Sequence, residues 1–312
     1  MPSVPTPVAG RESSGQWGLI AQFVAMGLIW GASFLFMKVA LTGVSFGQVA
    51  WTRLVLGGLT LGVITLVTRS ALPREPIMWL HFTVIAITGA LVPHLLFAWG
   101  TQQVTSALAS IFNAVTPITT ALMATLVFRV ERLNRVQVAG VTLGIVGVIV
   151  IVGPWSAGLA GSLLGQLACV GAVTCYGFTF AYTRKYISGS SVSGITAAFL
   201  QIGIAGFLML LLTPWVAAGP VQLDFWVVGA LVLLGALGTG IAYVWNMSVI
   251  RAWGPTSAST VTYITPVVGV GLGFLVLGES LSWHEPVGAV LVFLGILLAQ
   301  NRLRLRRRAL PG

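Results

Sequence analysis

Residues 110–117 read SIFNAVTP and residues 259–266 read STVTYITP. The two octapeptides share their opening Ser and closing Thr-Pro at an offset of 149. Downstream, Glu131-Arg-Leu-Asn-Arg-Val-Gln-Val-Ala-Gly140 pairs with Glu279-Ser-Leu-Ser-Trp-His-Glu-Pro-Val-Gly288, and Gly147 with Gly295. Upstream, Trp30-Gly31 with Lys38 matches Tyr176-Gly177 with Arg184. The offset stays between 146 and 149, so the chain reads as two copies of one unit. Chance likeness between apolar segments is the competing explanation. Punctuation in one order at nearly one spacing argues against it.

Composition says what the unit is made of. Of 312 residues, 57% are hydrophobic and 7% charged, where soluble domains carry roughly 25% charged residues. A soluble enzyme is excluded, and so is disorder. The 38 glycines follow no collagen period. A bilayer core requires about 20 apolar residues per helix. Such runs fall at 17–40, 46–68, 77–100, 106–128, 136–152, 161–183, 192–214, 225–247, 255–277 and 285–301. Runs such as 141–152 and 229–237 do not alternate as barrel strands would. The expected fold is an all-α integral membrane protein of ten transmembrane helices. Residues 1–16 lack the short apolar core of a signal peptide and read as a cytoplasmic tail. Cys169 and Cys175 lie on different sides of one helix and read as small core residues.

A net charge of +10 on so few charges fixes the orientation. With the N-terminus inside, Arg11, Arg69, Arg74, Arg129, Arg132, Arg135, Arg184, Lys185, Arg251 and the five arginines of residues 302–308 all face the cytoplasm. That is fourteen of the sixteen basic residues, the segregation expected of cytoplasmic loops. The basic tail at 302–312 is then a topology anchor rather than a nucleic-acid patch. Lys38 and Arg53 remain, near the outer ends of helices 1 and 2, where they are expected to snorkel or make structural contacts, with attraction of an anionic group at the outer mouth as the alternative. Repeat 1 spans 17–153 and repeat 2 spans 161–301. Each holds five helices, an odd number, so the second copy enters the membrane from the opposite side. Two inverted five-helix repeats around a midplane axis are an architecture of secondary transporters.

Several residues also carry a resemblance. Trp30-Gly31 with Lys38, Arg53, Thr116-Pro117, Glu131-Arg132-Leu133, Thr265-Pro266 and Gly278-Glu279-Ser280-Leu281 resemble the drug/metabolite transporter superfamily, in its ten-helix group with two EamA-type repeats. The likeness covers about residues 17–301. The first copy departs from it in reading Phe128-Arg129-Val130-Glu131, one residue longer and without Gly before Glu. The resemblance implies export of small metabolites, commonly amino acids, through a central cavity in a bacterial inner membrane.

Polar residues inside a bundle should face each other or a water-filled cavity. Helix 4 carries Ser106, Ser110, Asn113, Thr116 and Thr120 at nearly helical spacing; helix 9 carries Thr256, Ser259, Thr262, Tyr263 and Pro266. The two stripes read as facing walls of a pathway, with interhelical hydrogen bonding as the competing reading. A mid-helix Pro also frees a carbonyl for a substrate ammonium. The expected substrate-binding set is Trp30, His94, Trp99, Asn113, Thr116, Tyr176, Tyr243, Asn246 and Tyr263. Aromatic faces suit an amine and the asparagines a carboxylate or amide. For Trp99 an interfacial belt is the rival role, and for His94 a satisfied core histidine. His81 and His284 are expected to be solvated. All six acids lie in loops or at helix ends, which leans the expectation toward facilitated export or exchange. No catalytic residue, metal ligand or cofactor is expected. The expected partners are a small-molecule substrate and the lipid bilayer, with no nucleic acid; the oligomeric state stays open, a monomer included. The alternatives are a carrier of the same fold for drugs or other metabolites and, from different classes, a channel or an intramembrane enzyme.

Overall fold

In the computed structural model the described residues are 11–153, 162–253, 261 and 263–300. They form helices α1 (Arg11–Ala40), α2 (Phe46–Val67), α3 (Pro76–Gln103), α4 (Ser106–Val127), α5 (Arg135–Val152), α6 (Leu163–Tyr186), α7 (Gly194–Leu211), α8 (Phe225–Val249), α9 (Ile264–Leu277) and α10 (His284–Ala299). The first eight contain stretches long and apolar enough to cross a membrane; α9 and α10 are shorter apolar helices. No strand occurs among the described residues. The tail arginines and Thr256, Ser259 and Thr262 of the expected helix 9 stripe lie outside the described residues.

Side-chain caps set where the helices begin. Ser45 and Gln48 form a reciprocal capping box at α2, and Asn134 and Gln137 form another at α5. Thr105, Ser162, Ser193 and Asp224 each accept a first-turn N–H at the starts of α4, α6, α7 and α8. Left-handed residues follow four helices: Gly153 after α5, Gly278 after α9, and Arg69 and Arg129 just past α2 and α4. Arg129 and Gly278 are 149 residues apart, so Arg129 holds the position that a glycine holds in the second copy.

Packing is nearly unchanged when every helix is exchanged for the one five places along. α1 packs on α9 and α8 as α6 packs on α4 and α3; α2 packs on α8 as α7 packs on α3. The pairs α2–α7, α4–α9 and α5–α10 map onto themselves. The α5–α10 crossing is the closest. A Cβ on Gly295 would sit 2.6 Å from the Gly144 nitrogen, and one on Gly288 would sit 2.7 Å from the Gly147 oxygen, so backbone meets backbone. Leu59, Val63, Phe207, Leu211, Val267 and Phe274 remain exposed on outer faces, as lipid contact requires.

α3 and α8 each widen into a π-helical segment, Ile87–Leu91 and Leu233–Ile241, starting 146 residues apart. Such bulges leave backbone groups off the regular ladder and are frequent at functional sites. Hydrogen bonds between loops define two ends. Gly43, Gln48, Thr101, Ile151, Ala217 and Glu279 gather at one. Ala71, Glu131, Gln137, Arg184 and Thr196 gather at the other.

Two expected solvent exposures are corrected. His284 is 1% exposed, with Nδ1 on the Ile151 carbonyl at 3.1 Å, because α10 begins one residue earlier and tucks the ring under α5. His81 bonds the Tyr182 hydroxyl at 2.7 Å and stacks on Tyr186.

Candidate functional site

Two aromatic pairs form the middle of the bundle. Trp30 on α1 meets Tyr243 on α8 edge-on, centroids 6.0 Å apart, and its Nε1 donates to the Gly238 carbonyl at 3.0 Å. Tyr176 on α6 meets Phe97 on α3, centroids also 6.0 Å apart. Trp30 and Tyr176 are 146 residues apart, as are Phe97 and Tyr243, so one arrangement is built twice. Glycines let these helices close in. A Cβ on Gly31 would lie 2.9 Å from the Thr265 oxygen, and one on Gly177 would lie 2.8 Å from the Thr119 oxygen.

Into this centre projects Arg53. Its Nε donates to the Thr239 hydroxyl at 2.9 Å, and a terminal nitrogen stands 3.9 Å from the Met37 sulfur. Thr239 adjoins Gly238, whose carbonyl takes the Trp30 N–H, so Arg53 and the Trp30–Tyr243 pair converge on one stretch of α8. The expectation that Arg53 snorkels to the interface is therefore corrected. It begins about two turns inside α2 and extends across the bundle to the π segment of α8. Lys38 makes a structural contact, one of its two expected roles: its ammonium donates to the Thr101 and Val104 carbonyls at 2.7 and 2.8 Å and so caps the C-terminus of α3.

The remaining expected residues divide. His94 is buried, with Nδ1 2.5 Å from the Ala90 carbonyl. Thr116 does not point a free hydroxyl at a pathway. Pro117 supplies no N–H to Asn113, and the Thr116 hydroxyl donates to that carbonyl instead, at 2.7 Å. The carbonyl expected to be free for an ammonium is therefore occupied. The α4 stripe is likewise spent: Ser110 donates to Ala107, Thr120 to Thr116, and Ser106 to Glu279. A Cβ on Gly269 would lie 2.5 Å from the Ser110 side chain, so α4 and α9 touch there instead of flanking a channel. Asn113, Trp99 and Asn246 are half-buried, and their side chains have no hydrogen bond among the described residues. Tyr263 turns toward α10, bonding Gln300 and meeting Phe293 edge-on. It lines a small apolar pocket with Ile111, Ala114, Pro266 and Val292, on the far side of α9 from the Trp30 pair.

Trp30, Tyr176 and Tyr243 are thus brought together with His94 and Arg53. The tyrosines, Trp30 and Arg53 are half-buried. Arg53 was left out of the expected binding set because an arginine near a helix start was assigned first to the interface or a structural contact by its chain position. The available signal was its distance from that start, too great for easy retreat.

Known proteins share this architecture. The chain is 25% identical over 97% of its length to a "Probable terminal-alkyne amino-acid exporter" of Streptantibioticus cattleyicolor, covering 99% of that protein. It is 23% identical over 94% of its length to a "Probable amino-acid metabolite efflux pump" of Salmonella typhimurium, covering 97% of that one. A solved crystal structure superposes with a TM-score of 0.61 at 20% identity, covering 90% of this chain and 97% of that chain. The EamA-like transporter family matches twice, over residues 16–153 and 163–300. The chain therefore belongs to the EamA-like transporter family of the drug/metabolite transporter superfamily.

Proposed function

We propose that this multi-pass transporter exports small metabolites, most specifically amino acids, from a bacterial cytoplasm by alternating access. In this reading ten helices form two inverted five-helix repeats in the inner membrane, with both termini cytoplasmic. The observation that carries it is the packing that survives exchange of each helix for the one five places along. Two halves related in this way can rock about a fixed site between them and open it first to one side, then to the other. We assign the site to their junction, where Trp30 meets Tyr243, Tyr176 meets Phe97 and Arg53 reaches Thr239, aromatic groups with few placed polar ones, as suits a small-molecule site. Relatives named for amino-acid export support the substrate class.

Helix-end ion contacts of the two repeats suit the same cycle. Glu279 ties the end of α9 to the start of α4 beside Lys38, and the equivalent Glu131 pairs with Arg184 at the opposite end. Closing one end while releasing the other requires such contacts to form in alternation.

Proteoliposomes carrying the purified chain test the proposal. Saturable counter-flow of at least one labelled amino acid, with competition across a panel of all twenty, is expected. If none moves or competes, the amino-acid reading fails; unsaturable conductance would overturn the carrier itself.

A further inference from the structure

Arg53 has more hydrogen-bonding capacity than the protein uses. A guanidinium offers five N–H donors. Here one meets a hydroxyl at 2.9 Å and another faces a thioether at 3.9 Å, a weak acceptor. The one ion pair among the described residues is Arg184–Glu131, far from it at a helix end. The described carboxylates Glu75, Glu131, Asp224, Glu279 and Glu285 all stand at or beyond helix termini. A cation held between helices without a counter-ion costs several kcal/mol by general estimate, and membrane proteins retain such residues where they act.

A purely structural role is answered by the other repeat. The π segment of α8 is held by Arg53 from α2, through Thr239. The π segment of α3 is held by Gln201 from α7, whose amide donates to the Gly89 carbonyl at 3.1 Å. The two bonds connect equivalent helix pairs, and in the second a neutral amide suffices. The charge of Arg53 is therefore beyond what the contact needs.

Its surroundings are suited to an anion. With Nε engaged by Thr239, the two terminal nitrogens remain as a planar fork, the geometry that matches a carboxylate bidentately. Tyr243 packs on Trp30, which bonds Gly238 beside the Thr239 that Arg53 holds, and Tyr176 is the counterpart of Trp30 in the other repeat; neither tyrosine hydroxyl makes a hydrogen bond among the described residues. Each can donate to a carboxylate oxygen. Trp30 and Phe97 wall the space behind them with apolar rings.

We infer that Arg53 selects the transported molecule by its carboxylate, which docks end-on against the two terminal guanidinium nitrogens with Tyr176 and Tyr243 donating to its oxygens. This rests on the transport reading for its setting and adds the group the site recognises. Amines without an acid group are excluded from this subsite by the proposal.

Binding to the full chain in nanodiscs, measured by ligand-induced thermal shift, tests it with three probe sets. These are the twenty amino acids, their carboxamides, and amine-free acids such as 4-methylpentanoate and 3-phenylpropanoate. The best-bound acid should bind about tenfold or more tighter than its own amide. Arg53→Gln, which can keep the Thr239 contact, should remove that preference, and Arg53→Lys should retain part of it. An amide bound as tightly as its acid in the unsubstituted chain overturns the inference without need of any variant. So does a preference that survives Arg53→Gln, or a failure of every acid to bind. Binding of amine-free acids alone, dependent on Arg53, would uphold the inference and overturn the amino-acid reading.

Discussion

Glu279→Ala should destabilise the protein by about 2–4 kcal/mol, an estimate that follows from what this carboxylate holds. It accepts from the Ser106 N–H at 2.8 Å, the Ser106 hydroxyl at 2.9 Å and the Ala107 N–H at 3.0 Å. The two N–H groups belong to the first turn of α4, where no intrahelical acceptor exists. Charge-assisted bonds contribute about 1.5–3 kcal/mol each when dry. Glu279 is half-buried, so water replaces part of what is lost, and the sum of about 5–9 falls by roughly half. Glu279→Gln keeps an acceptor oxygen without the charge and should lose about 1–2 kcal/mol. Arg184→Gln is the control. It removes the ion pair of Glu131, the counterpart of Glu279 in the other repeat, between more exposed partners, and should cost no more than about 1 kcal/mol. Equilibrium unfolding in mixed micelles with increasing denaturing detergent reads all three. A loss below about 1 kcal/mol for Glu279→Ala, or an equal loss for Arg184→Gln, would refute the argument that α4 is anchored by Glu279.

Two further outcomes follow from backbone geometry, read by the same unfolding assay. Gly295→Ala places a methyl 2.6 Å from the Gly144 nitrogen, where backbone cannot yield, and should cost about 1–3 kcal/mol. Gly271→Ala, with nothing within 4 Å, should gain about 0.5–1 kcal/mol; equal effects at the two sites would disprove the close α5–α10 contact. Arg129→Gly should stabilise by about 0.5–1 kcal/mol, because a left-handed residue with a Cβ is strained by slightly more than glycine loses in chain entropy. A loss of stability there would mean that the Arg129 side chain contributes more than its backbone costs.

The architecture was legible where it depends on solvent. Apolar runs mark helices because lipid leaves the backbone no other partner. The duplicated Thr-Pro and Glu-x-Leu landmarks survive because helix breaks and caps need particular residues. Arg129 shows the limit of that logic. The odd Phe-Arg-Val-Glu spelling keeps the left-handed turn of Gly278 with a different residue, so local geometry is shared where letters are not. The site was harder to read because hydroxyl stripes carry no label for their partners. Thr116 and Ser110 have the spacing of a pathway wall, yet their protons go to carbonyls of their own helix. Periodicity identifies a face; it does not say whether the face meets water or another helix. His284 failed for a related reason, since one residue of helix boundary separates a loop ring from a buried one.

A duplicated scaffold also points to where its chemistry lies. Positions that support packing have equivalents in both halves: Gly31 with Gly177, Gly147 with Gly295, and the π segments of α3 and α8. At the centre the halves diverge. Trp30 corresponds to Tyr176, Tyr243 corresponds to Phe97, and Arg53 stands where the second copy has the neutral Gln201. A site built with identical halves would present the same group to both ends of a bound molecule. An amino acid has two different ends, one anionic and the other cationic. A site with a guanidinium on one half and only neutral groups at the equivalent positions can hold such a molecule in one orientation. The duplicated packing treats the two halves alike, and the departures from symmetry at Arg53 and the two aromatic pairs are where the halves differ in chemistry.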